Sequence, residues 1–137
     1  IDVSQKNKLS QNKQAEARKK PERVEGTLSC ELPKTLTKKN DIHITSKRNF
    51  DCFQDTELDM LLKRTLNVKN IIICGVNTDT CVYGTTFGAS NRGYNPIVIE
   101  CCTGSMRGED QHKTALKIMS QSIAWVMKKE EILNKLN

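Results

Sequence analysis

The chain reads as an α/β protein, a three-layer structure built on a doubly wound, mainly parallel sheet. Three observations predict this. Asn70-Ile71-Ile72-Ile73-Cys74 is a continuous apolar run of strand length, of the kind buried on both faces of a parallel sheet. Pro96 to Glu100 supplies a second apolar run. Helical patterns lie between and after them, and strands alternating with helices of about ten or more residues give a parallel sheet with helices on its faces.

In chain order, Asp41-Ile42-His43-Ile44-Thr45 is a short strand candidate leading straight into Lys47. Thr56 can cap a helix with Asp59 three residues on, and Leu58, Leu61, Leu62 and Leu66 give that helix one apolar face. The Asn70 strand runs into the polar turn Gly75-Val76-Asn77-Thr78-Asp79-Thr80, and Cys81 opens the next helix. That helix should end near Arg92, because Gly93 suits the left-handed position just past a helix end. After the Pro96 strand, a helix from about Glu109 carries His112, Ala115, Leu116, Met119 and Ile123 on one stripe. Ala124 to Met127 reads as a last short strand, and Lys128 to Leu136 as a polar terminal helix. The ligand site of such a sheet lies at the carboxyl ends of its strands. Lys47 and the turn before Cys81 are both expected there.

Composition narrows the class. With 137 residues, 36% of them apolar, the chain can bury one core, and without a run of about eighteen apolar residues no membrane span is expected. Ile1 to Gln5 shows no apolar core of a secretory signal. The formal charge of +6 is uneven, since residues 1–40 hold ten Lys or Arg against five Asp or Glu, whereas residues 41–137 hold twelve against eleven. Residues 1–25 therefore read as a basic polar leader and 26–137 as the folded domain. The leader has no aromatic side chain on which bases could stack, so nucleic acid is not an expected partner. Six cysteines, at 30, 52, 74, 81, 101 and 102, fall in predicted strands or at a helix start, and none forms a C-x-x-C pair. Neither a disulfide framework nor a zinc site is expected, and a reducing, cytoplasmic setting fits. Cys101 and Cys102 end an apolar strand and read as small buried side chains.

Cys81 is the residue with chemistry to offer. A thiol attacks as the thiolate, and the unpaired N–H groups at a helix start favour that anion. Most free cysteines are small buried hydrophobes, so the turn by itself leaves both readings open. Asp79, two residues earlier, is placed to cap the same helix.

The wider pattern adds to this. Gly75 to Cys81, with Val82, Thr85 and Gly93-Tyr94, resembles the active-site stretch of the isochorismatase-like cysteine hydrolases, which include nicotinamidases, carbamoylsarcosine and biuret amidohydrolases, and isochorismatases. Upstream, Lys47-Arg48-Asn49-Phe50-Asp51-Cys52-Phe53 resembles that family's catalytic-lysine loop, a lysine followed six residues later by phenylalanine, and Thr56 and Leu58 continue the match. The resemblance runs from about Gly26 to Trp125. Val76-Asn77-Thr78, Glu100-Cys101 and Ser105-Met106 are most similar to the biuret and ureide branch.

What the resemblance implies is a cysteine-dependent hydrolase that cleaves a C–N bond of a small amide, ureide or imide through a thioester, with no metal or cofactor. A small-molecule amide would be the substrate and a homo-oligomer the working state. Amide carbonyls are poor electrophiles, so such an enzyme needs an activated nucleophile and donors for the developing oxyanion. Carried over, Cys81 is the nucleophile, Lys47 supplies positive charge beside it, and a cis peptide at Val76–Asn77 turns the Asn77 N–H toward the oxyanion next to that of Cys81. Asn77 is also the candidate to bind a substrate amide through its side chain, and Phe53, Tyr83 and Phe50, close to the site in sequence, are candidates to wall the pocket or equally to fill the core. The family's general base is an aspartate on a first strand. Asp2, in Ile1-Asp2-Val3-Ser4-Gln5, is the candidate, although this segment has one residue too many before the glutamine and only forty-five positions separate Asp2 from Lys47. The expected architecture is accordingly incomplete at its N-terminus and lacks the upstream Asp-x-His metal site of nicotinamidases. His43 and His112 read as core or rim residues, Arg107 and Glu109 as rim or subunit contacts. The alternative is a catalytically impaired member acting as an interaction or oligomerisation module. A carboxylate beside the Cys81 thiol separates the two readings.

Overall fold

The computed structural model describes Leu28 and residues 31–136. The expected leader of residues 1–25 and Asp2 within it lie outside the described residues. The chain divides into two compact units, Ile1–Ile42 and His43–Asn137. In the first, the described segment holds one short 3-10 turn, Lys34–Leu36, and the Lys38 N–H donates to Asp41 Oδ2 at 2.7 Å.

The second unit carries the sheet. It begins with a loop, followed by a helical turn α1 (Leu58–Met60) that widens into a π-helical turn over Leu61–Thr65. Strand β1 (Asn70–Val76) leads through a second π-helical turn, Thr78–Val82, into α2 (Tyr83–Asn91). Then come β2 (Asn95–Gly104), α3 (Glu109–Ser122), β3 (Trp125–Met127) and α4 (Lys129–Leu136). The three strands are parallel in the order β1-β2-β3. This confirms the expected mixed α/β architecture with a parallel sheet.

The core forms where α2 and α3 cover the sheet. Val98, Ala115, Leu116 and Met119 are buried in one cluster with Ile73, Val82, Ala89, Phe53 and Tyr94, so the predicted stripe on α3 faces inward. Val98 and Ile99 are successive strand residues and point to opposite faces. Ile99 is buried at 7% but outside that cluster, as is Ile132 of α4; α4 also contacts β2. Helices thus cover both faces. Gly93 has φ of +81°, the left-handed geometry expected where α2 stops.

Several expectations are corrected. Asp41–Thr45 forms no strand, because an extended segment becomes one only when another chain segment accepts its backbone hydrogen bonds, and none does so among the described residues. The segment after Thr56 is helical but the larger part of it, Leu61–Thr65, is π-helical, and Leu66 remains 50% exposed. Strand β1 is not buried on both faces: Ile73 is buried, whereas Ile72 and Val76 are 44% and 64% exposed, since β1 has a strand neighbour on one side only among the described residues. Cys101 and Cys102, expected to be buried, are exposed. The cause lies in the pairing of β1 with β2. Ile73 faces Val98 and Gly75 faces Thr103, so one residue of β1 stands opposite a bulge of β2 running from Ile99 to Cys102.

Candidate functional site

The carboxyl ends of β1 and β2 carry the candidate site. The Val76–Asn77 peptide is cis, at the position where the resemblance located such a bond. Cys81 does not open a regular α-helix as expected. It lies within the π-helical turn Thr78–Val82, whose N–H groups turn back on Asn77: both Thr80 and Val82 donate to the Asn77 carbonyl at 3.1 Å. The Cys81 side chain is half-buried. Beside it in sequence, Thr78 is fully buried and its hydroxyl is 2.8 Å from His112 Nδ1. His112 is therefore a satisfied residue joining α3 to the turn, in agreement with the core-or-rim reading.

Asp79 behaves differently from the expected cap. Its carboxylate accepts from Ser105 Oγ at 2.7 Å and from the Arg107 guanidinium at 2.6 Å. Burial is the largest single influence and works to raise its carboxyl pKa, but the hydrogen bonds from Ser105, Arg107 and the backbone, with the Arg107 charge, together hold the group below the usual carboxylate range. The Asn77 side chain makes a parallel link, with Oδ1 accepting the Met106 N–H at 3.0 Å. Two loops at the sheet end are thereby stapled together by three hydrogen bonds. Arg107, expected as a rim or subunit contact, is part of that staple, and Glu109 pairs with Lys113 along α3 at 3.3 Å.

The Lys47 loop is held against α2 by a different device. Gly84 and Gly88 stand one turn apart on that helix. A Cβ at Gly84 would meet Phe50 Cβ and Asp51 N at 3.4 Å, and one at Gly88 would fall 2.6 Å from the Asp51 carboxyl carbon. These two glycines open a groove into which Phe50 and Asp51 fit. Polar contacts then fix the register. Thr85 Oγ1 accepts the Cys52 N–H at 3.1 Å and donates to the Phe50 carbonyl at 3.3 Å. Asp51 Oδ1 accepts the Phe53 N–H at 2.8 Å, and Oδ2 pairs with Arg92 at 3.4 Å. Lys47 is half-buried, three residues ahead of this anchor, while Arg48 donates to the Thr45 carbonyl at 2.7 Å.

The aromatic candidates differ in their surroundings. Phe53 is 4% exposed, stacks on Tyr94 with centroids 5.6 Å apart, and has the Arg92 guanidinium over its ring; it fills the core. Tyr83 packs on the edge of the core and stacks on Phe87. Phe50 is 45% exposed at the loop anchor. Reading the sequence missed Asp51, Ser105 and the grooved face of α2. The Gly84-x-x-x-Gly88 spacing was the available signal for the groove, since two glycines one turn apart clear a path for close backbone approach.

Among the described residues no carboxylate is hydrogen-bonded to the Cys81 thiol, and no group of three or more His, Cys, Asp or Glu side chains is arranged to hold a metal ion. No helix among them is long and apolar enough to cross a membrane.

Comparison with known proteins agrees with this geometry. Residues 3–131 match the model of the isochorismatase domain, a longer span than the motifs alone suggested. An uncharacterized isochorismatase family protein, YecD, of Escherichia coli O157:H7 is 33% identical over 97 residues, covering 71% of this chain and 50% of that protein. Among solved structures, an isochorismatase-like hydrolase from Alkaliphilus metalliredigens superposes with a TM-score of 0.76 at 27% identity, covering 83% of this chain and 62% of that one. The nicotinamidase of Staphylococcus aureus gives a TM-score of 0.57 at 35% identity, covering 60% of this chain and 50% of that one. The chain thus spans about half to three-fifths of the length of these relatives.

Proposed function

The chain belongs to the isochorismatase domain family, a family of hydrolases, and from that premise we propose that it is a cysteine-dependent amidohydrolase acting on a small amide, ureide or imide. One observation carries the reading. Cys81 stands four residues after Asn77 of the cis peptide at the end of β1, in a turn that continues into the helix on which the Lys47 loop is anchored. In this reading the Cys81 thiolate attacks the substrate carbonyl, and backbone N–H groups of Asn77 and Cys81 take the charge that develops on oxygen. The C–N bond then breaks, the amine leaves with a proton, and water resolves the thioester. Lys47 favours the anionic forms of both thiol and adduct. Asp2 is the proposed proton acceptor.

The same proposal carries a small-molecule amide as substrate, self-association and a cytoplasmic location. Free thiols at Cys52, Cys74, Cys81, Cys101 and Cys102 support a reducing compartment, and Val76 and Met106, 64% and 80% exposed beside the site, offer apolar surface to a second copy. The nicotinamidase among the relatives supports the amide class.

Ammonia release from biuret, carbamoylsarcosine and nicotinamide tests the reading, with mass spectrometry of the substrate-treated chain alongside. Release from one of them that disappears in Cys81→Ala, or acyl transfer onto Cys81, is the expected result. Release unchanged in Cys81→Ala overturns the cysteine mechanism. Neither release nor acylation hands the chain to the alternative, a member that keeps the fold as an interaction module.

A further inference from the structure

A second thiol cluster lies outside the candidate site. Cys74, Cys101 and Cys102 are all exposed at the bulge between β1 and β2. Gly75 pairs with Thr103, so Cys74 and Cys102 each stand one residue before the same paired couple in parallel strands. Side chains alternate with period two, which puts these two thiols on the same face of the sheet. Adjacent strands run about 4.8 Å apart, within the Cα separation of about 4.4–6.8 Å that a disulfide spans. Besides burial, the Cys102 thiol is among the groups that raise the Cys74 pKa. Cys101 is set differently. Its Sγ is 4.0 Å from that of Cys102. Neighbouring residues close a disulfide only with distorted geometry. The three groups are also not arranged to hold a metal ion, which leaves two-thiol chemistry.

We propose that Cys74 and Cys102 form a dithiol modification site that reacts with small-molecule disulfides such as oxidised glutathione and closes into a cross-strand Cys74–Cys102 bond. In the first step one cysteine thiolate attacks a sulfur of the small disulfide, forming a mixed disulfide and expelling one glutathione thiolate. The other cysteine thiolate then attacks the protein-side sulfur of that mixed disulfide, forming the Cys74–Cys102 bond and expelling the second glutathione. The protein dithiol loses two electrons, the small disulfide gains them, and the two cysteine protons pass to the two departing thiols. Burial and the adjoining thiols push the Cys74 pKa up, so exchange gains from mild alkali. The bond would join β1 to β2 immediately before the two stapled loops.

The test treats the full chain with oxidised glutathione at about pH 8, where a larger share of thiol is thiolate, then alkylates the remaining thiols and maps peptides by tandem mass spectrometry. The expected product is lighter by two hydrogens, links Cys74 to Cys102 and leaves Cys101 alkylated. Cys101→Ser should keep the link within about twofold of the parent yield, and Cys102→Ser or Cys74→Ser should lower it at least about tenfold and retain glutathione on the remaining partner. A Cys101–Cys102 bond as the main product, a link surviving in Cys102→Ser through Cys101, or separate glutathione on all three thiols would overturn the proposal.

Discussion

Gly84 and Gly88 permit a controlled comparison, because the two replacements share chemistry, helix and backbone conformation and differ only in what the new methyl group meets. Alanine in place of glycine inside a helix contributes about 1 kcal/mol in favour of folding at either position. At Gly84 the added Cβ would find Phe50 Cβ and Asp51 N at 3.4 Å, an ordinary van der Waals contact, so the gain is kept. At Gly88 it would sit 2.6 Å from the Asp51 carboxyl carbon, and the carboxylate has to move. Asp51 cannot move freely, since Oδ1 holds the Phe53 N–H at 2.8 Å and Oδ2 pairs with Arg92. Overpacking costs about 1–3 kcal/mol, and weakening a hydrogen bond to a charged group adds about 1 kcal/mol or more. Set against the helix gain, Gly88→Ala should be about 2 kcal/mol less stable than the parent chain, whereas Gly84→Ala should equal or exceed it. At an m-value of about 2 kcal/mol/M, urea unfolding would place the Gly88→Ala midpoint about 1 M lower. The double variant Gly88→Ala/Asp51→Gly, which removes the obstruction, should recover part of the loss. A Gly88→Ala chain as stable as Gly84→Ala would show that Asp51 does not dock on α2, and the anchoring of the Lys47 loop would fall with it.

Other expected outcomes are simpler to check. If the Lys47 loop is anchored beside the Cys81 turn, iodoacetamide should label Cys81 faster at neutral pH than the other thiols, and Lys47→Ala should slow that labelling; uniform labelling across the cysteines contradicts this. The Asp79 carboxyl is held below its ordinary range, so its contribution to stability is present above the unfolded-state pKa of about 4 and is lost as pH falls through the lower folded value; acid unfolding of Asp79→Asn should lack that component, and an unchanged profile would show that the staple carries no stability. Tyr94 is pushed up to about 12 by burial and by its hydrogen bond to Asp59, so stability should decline between about pH 10, where an unfolded tyrosine ionises, and the folded value. In a tyrosinate absorbance titration one of the two tyrosines should ionise only near the top of that window, and Tyr94→Phe should abolish the late phase; a late phase that persists assigns it elsewhere.

The parts of the fold most legible in the sequence were those governed by period and punctuation. The α3 stripe through Ala115, Leu116 and Met119 and the stop at Gly93 follow from local chemistry that no tertiary contact reverses. Asp41–Thr45 was misread because alternation alone cannot reveal whether a segment has a partner to pair with. The apolar run of β1 likewise announced a strand but not how much of it would be covered. In the site, the position of the cis peptide and the turn around Cys81 followed from a motif local in sequence. Asp79 escaped because its partners, Ser105 and Arg107, lie more than two dozen residues away, and a carboxylate near a helix start looks like a cap until the competing guanidinium is seen. For Phe53 the sequence left pocket wall and core equally open, and the ring stacked on Tyr94 belongs to the interior.

The bulge of β2 sets where this domain can absorb a change in chain length. Across Ile97–Ile99 the strand is held on both sides, paired with β1 at Ile97 and Val98 and with β3 throughout. Deleting one residue there would exchange Val98 and Ile99 between the two helical layers, because a single-residue slip turns every side chain to the opposite face. From Glu100 to Cys102 the strand already carries surplus residues against β1, so a shortening by one would be taken up in the slack and leave both layers as they are. Insertions and deletions among related chains should therefore collect in these three positions and be missing from the three before them.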